Sequence, residues 1–135
     1  MNRTLAIAEW RRAELSQRAA SVCLRHHCHA GAVSRACYAV FHAAKAALAF
    51  HDGTSPGSHG GVPQQFGLKL VRSGLLEGMW GSEIGQIYDL GVRADYNVVA
   101  AFSAVYVREV YERAARFLER ILRYLSSGIP FAEQT

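Results

Sequence analysis

Apolar residues recur three or four positions apart through much of this chain, most regularly from Phe102 to Leu125, at Tyr106, Val110, Ala114, Phe117, Ile121 and Leu125. That spacing returns to one side of an α-helix at every turn and to neither face of a strand, so the segment reads as an amphipathic helix. Glu109–Arg113, Glu112–Arg116 and Glu119–Arg123 are four apart with the acid first. Pairs in that order support an exposed helix face by roughly 0.2–0.5 kcal/mol each. No segment alternates apolar and polar residues over a useful length. The expectation is an all-α, up-and-down bundle of about five helices in one domain, 1–127, with a flexible tail over 128–135.

The other helices follow from the same periodicity. A first helix is expected over Leu5–His27, with Leu5, Ala8, Leu15, Ala19, Val22 and His26 inward, a Glu14–Arg18 pair outward and Gly31 as the stop. A second is expected over Ala32–Phe50, rich in alanine, with Cys37, Phe41, Ala44 and Leu48 on its buried stripe. From His51 to Pro63 the glycines and prolines exclude a helix interior and predict a loop. A short helix over Val62–Arg72 ends at Ser73-Gly74, and Leu75–Gly81 reads as a turn. A fourth helix starts at Ser82, buries Ile84, Ile87, Tyr88 and Gly91, and has Gly85 and Gly91 as weak points.

Composition removes several functional classes. A chain of 135 residues, half of them apolar, can bury a core without disulfides or metal. No apolar run has the length of a membrane span, and the charged N-terminal pattern is unlike a signal peptide, so a cytoplasmic protein with reduced Cys23, Cys28 and Cys37 is expected. The net charge of +4, carried almost wholly by arginine, permits nucleic-acid binding without demanding it. The glycine-rich stretch 52–61 lacks the Gly-Lys-Ser/Thr ending of a P-loop. The run His26-His27-Cys28-His29 with Cys23 raises a zinc site, but successive helical residues point about 100° apart, so no metal and no cofactor are expected.

Two clusters carry residue types suited to phosphate and bases. Arg35, Tyr38, His42 and Lys45 are spaced three, four and three, forming a polar, cationic stripe on the second helix. Arginine and lysine suit phosphate, tyrosine can stack on a base, and histidine titrates near neutrality. The structural alternative is a solvated face whose tyrosine closes the core edge. At the end of the fourth helix, Arg93, Tyr96 and Asn97 share a face beside Asp95, while Asp89, four residues earlier, offers Arg93 an ordinary ion pair.

Several segments together resemble the short stand-alone members of the HEPN family. They are Ser34-Arg35-Ala36-Cys37-Tyr38-Ala39-Val40-Phe41-His42-Ala43-Ala44-Lys45, then Ser58-His59-Gly60-Gly61-Val62, Phe66-Gly67, Ser73-Gly74-Leu75-Leu76, and Arg93-Ala94-Asp95-Tyr96. Their order and spacing agree over residues 12–125. The resemblance implies a helical bundle that pairs into a homodimer. It also implies a toxin–antitoxin role beside a nucleotidyltransferase-family antitoxin, with metal-independent RNA cleavage at the dimer cleft. It assigns Arg93, Asp95, Tyr96 and Asn97 to the catalytic cluster, and Arg35, Tyr38, His42, Lys45 and His59 to RNA or nucleotide contacts. The family's cleaving members carry a histidine after the arginine, with four to six residues between; here positions 98–100 are Val98, Val99 and Ala100. Where some members carry a further arginine, this chain has Gly91. Three functions stay open: an RNA-binding and RNA-cleaving toxin, a non-catalytic module that binds nucleotides or docks on a nucleotidyltransferase, and a purely structural bundle.

Overall fold

The computed structural model describes residues 1–58 and 60–130. The chain runs through α1 (Arg3–Arg25), α2 (His29–Asp52), α3 (Gly61–Phe66) with a π-helical continuation (Gly67–Val71), α4 (Gly78–Tyr96) and α5 (Ala104–Leu125). The all-α bundle expected from periodicity is what forms. No helix among the described residues is long and apolar enough to cross a membrane.

α2 is the central helix, packed by α1, α4 and α5. Between residues 32 and 50 every side chain is buried except Arg35, Tyr38, His42 and Lys45. Its many alanines let neighbouring helices approach closely, and the larger side chains Leu48, Phe66, Leu70, Ile84, Ile87, Phe117 and Ile121 fill the space that remains. Phe117 anchors the far end, with Phe66 at 5.6 Å and Trp80 at 6.0 Å between ring centroids.

Several boundaries differ from the expectation. α1 ends at Arg25, and the chain reverses at His27, whose φ of 60° supplies the left-handed turn expected of Gly31. Gly31 lies instead inside the first turn of α2, where an added Cβ would come within 3.3 Å of Cys23 Sγ. α4 begins at Gly78, so most of the expected Leu75–Gly81 turn is helix. The buried face of α1 is Ala6, Trp10, Ala13, Ser16 and Ala20, which leaves Leu15 and Val22 exposed. Small residues face α2 because two alanine-rich surfaces pack most closely that way.

The packed body also runs past 127. Gly128 sits against the Phe50 ring, its carbonyl accepts a hydrogen bond from Arg3 Nη2 at 2.7 Å, and Ile129 is buried. The flexible tail expected from 128 therefore does not begin there, and residues 131–135 lie outside the described ones. The expected ion pairs within α1 and α5 are absent among the described residues. Arg113 instead pairs with Glu83 of α4, and Arg120 makes a two-pronged contact with Glu77 at 2.8 and 3.0 Å. Contacts between helices replace contacts along one. The bond from Arg120 holds the Glu77 carboxyl down at about 2.

Candidate functional site

The polar stripe of α2 divides into two parts. At its N-terminal end the Arg35 guanidinium lies 4.3 Å from the centre of the Tyr38 ring. Further along, His42 and Lys45 both turn to Glu9 of α1, with His42 Nδ1 at 2.6 Å and Lys45 Nζ at 3.4 Å from its two oxygens. Burial raises the Glu9 pKa, and the bond from His42 with the nearby Lys45 more than offsets this, leaving it below the ordinary glutamate value. Glu9 was not foreseeable as a site residue: nothing in the local sequence of α1 shows that it will face two groups more than thirty residues away.

The end of α4 is shared between two hollows. Toward α2, a cleft of about 140 Å³ is lined by Tyr38, Phe41, Tyr88, Asp95 and Tyr96 among others. Its polar link is Ser34 Oγ, which donates to Asp95 Oδ1 at 2.6 Å and ties α4 to α2. Toward α5, a groove of about 290 Å³ is lined by Gln86, Asp89, Leu90, Arg93, Tyr106 and Arg113. Arg93 and Tyr96, expected on one face, thus line different hollows, Tyr96 toward α2 and Arg93 toward α5. Asn97 caps α4, and its Oδ1 accepts the Val99 N–H at 3.1 Å.

Arg93 itself is exposed and makes no ion pair among the described residues, so the expected bond to Asp89 does not form. Its guanidinium lies 5.5 Å from the centre of the Phe102 ring, and that ring stacks on Tyr106 at 6.2 Å with 11° between planes. Beside Arg93 runs an apolar ridge of Val92, Tyr96, Val98, Val99 and Val105, the last four at least 79% exposed. Gly91, where some relatives of this pattern carry arginine, is pressed onto α2. A Cβ there would stand 3.0 Å from Cys37 Cβ, so a larger side chain requires Cys37 to give by a few tenths of an ångström. Cys37 is itself buried, and burial pushes its thiol up to about 12. His59 lies outside the described residues.

The profile of the HEPN domain matches residues 7–127. The chain belongs to the HEPN domain family. Among curated relatives, this HEPN chain is 35% identical over 113 residues to the Methanocaldococcus jannaschii protein named "Putative toxin MJ0605", covering 84% of this chain and 83% of that one. It is also 51% identical over 45 residues to the UPF0332 protein PH1297 of Pyrococcus horikoshii, across 33% of this chain and 31% of that one. Within the HEPN bundle, the stretch that follows Arg93 contributes exposed valines where cleaving members of the family carry histidine. Among the described residues no three His, Cys, Asp or Glu side chains converge on a common point.

Proposed function

We propose that this chain is the HEPN member of a cytoplasmic toxin–antitoxin pair and binds RNA along the α4–α5 groove that holds Arg93. The observation that carries this reading is an exposed arginine, at the position matched to the family's signature, with no carboxylate among the described residues committed to it. Such a guanidinium offers planar donors to phosphate at little desolvation cost. Phe102, whose ring lies under that guanidinium, is buried, and half-buried Tyr106 stacked on it is the aromatic ring left beside the cation; single-stranded nucleic acid is held by such a combination of cation and ring. The relative named as a toxin supports the toxin–antitoxin part.

Binding is better supported than cleavage. Attack by a 2′-hydroxyl needs a base for its proton and a donor for the leaving oxygen. Among the described residues no histidine lines the groove, and His42 is held by Glu9 at the seam between α1 and α2. The apolar ridge beside Arg93 supports pairing of two copies, which would bring two Arg93 groups into one cleft. The same ridge favours a second reading, in which it docks a nucleotidyltransferase partner. The test is fluorescence anisotropy with a labelled single-stranded RNA over a salt series, beside sedimentation of the wild type and Val98→Asp. The proposal expects affinity that falls steeply with salt and a dimer weakened by Val98→Asp. Salt-independent behaviour with no measurable RNA affinity would leave only a structural bundle.

A further inference from the structure

The turn at His27 brings two histidines to a third hollow, about 200 Å³, lined by Leu24, His27, His29, Ala104, Val105 and Arg108. The rings of His27 and His29 meet edge to face at 6.2 Å. His29 is fixed at one nitrogen: Nδ1 lies 2.8 Å from the carbonyl oxygen of Phe102. A carbonyl only accepts, so Nδ1 carries the hydrogen of that bond. The other nitrogen, Nε2, is buried and has no hydrogen-bond partner among the described residues. An orphaned buried polar atom is costly and marks a place where a ligand atom would be welcome.

The charge of the hollow decides which ligand. Among the described residues its titratable and charged side chains are His27, from the α1–α2 turn, His29 and Arg108, from α5; Leu24 of α1 is apolar, and no described carboxylate lines it. Arg108 opposes a metal cation there. The positive end of α5, whose N-cap is Ser103, faces the same hollow through Ala104 and Val105. Phe102 joins this hollow to the groove already described, since its ring lies under Arg93 and its carbonyl holds His29.

We propose that this hollow is a phosphate subsite, in which Arg108 and His29, with His27 beside them, hold the oxyanion of a phosphate ester. The inference rests on the RNA reading above, in which the ester belongs to the strand lying on Arg93. Because Nδ1 already donates to Phe102, the bound oxyanion draws a proton onto Nε2, which then donates to it.

The test follows the imidazole nitrogens by NMR while inorganic phosphate, a mononucleotide and a single-stranded RNA are titrated in turn. A saturable shift of His29 Nε2 to its protonated position is expected with phosphate, with His42 unmoved. Arg108→Gln, an exposed position, is expected to weaken that response by about tenfold or more. RNA acting at lower concentration than the mononucleotide identifies the strand as the source; the reverse order identifies a free nucleotide. A His29 signal unmoved by all three overturns the subsite, and if Arg93→Ala still weakens RNA binding, the RNA reading survives that failure. A response that Arg108→Gln leaves intact, or one produced by zinc alone, also overturns it. A phosphate response without any RNA affinity would keep the anion site and remove the RNA reading.

Discussion

At the scale of single residues, three contacts decide how α2 is read. The stripe Arg35, Tyr38, His42 and Lys45 was legible from spacing, since these are its only side chains left part-exposed between 32 and 50. Where they point was not legible, because Glu9 reaches His42 and Lys45 from another helix. The depressed Glu9 pKa means that this contact stabilises the fold fully above about the ordinary value of 4.5 and is lost as pH falls through the folded value. Glu9→Gln is expected to lower stability by about 1–2 kcal/mol near neutral pH. Thermal unfolding of both proteins from pH 7 to pH 3 checks it; the gap should close on the acid side, and a gap that widens there would contradict it. Gly91 is the second contact. Gly91→Ala puts a methyl group against Cys37 and is expected to cost about 1–3 kcal/mol, measured by urea unfolding, although alanine ordinarily favours a helix over glycine. Ser34 with Asp95 is the third, and it explains why Asp95 faces α2 rather than the groove of Arg93.

At the scale of elements, strong periodicity was read correctly and weak periodicity was not. The apolar stripe of α5 and the buried Ile84, Ile87 and Gly91 of α4 stand where their spacing put them. α1 was misread because its alanines, and not its exposed Leu15 and Val22, meet α2. Close packing of small residues leaves little hydrophobic contrast to follow. The start of α4 was missed because Gly78 and Gly81 look like turn residues, although Gly81 lies close to Val71 inside the bundle. Ion pairs four apart on α5 were expected from order alone, yet Arg113 and Arg120 reach α4 and its N-cap instead, where the acids are held in place. The first turn of α5 depends on Ser103, whose Oγ accepts the Tyr106 N–H at 3.1 Å. Ser103→Ala is expected to cost about 1 kcal/mol by urea unfolding and to speed hydrogen exchange in that turn first.

At the scale of the whole molecule, the arrangement separates the packed core from the proposed site. The core gathers around α2, while the end of α4 and the start of α5 hold Arg93 and the exposed valines on the outside, with buried Phe102 beneath Arg93. Family membership was legible in the quoted segments. The division of the candidate site residues between two hollows was not, because it depends on which neighbouring elements the end of α4 meets. The central claim is that Arg93 is a free cation serving phosphate. Equilibrium binding of one single-stranded RNA to wild type and to Arg93→Ala, across a salt series, addresses it most directly. The expected result is a loss of about tenfold or more in affinity and a salt slope smaller by about one, with the helical content unchanged. Equal affinity and equal slope for the two proteins would contradict it.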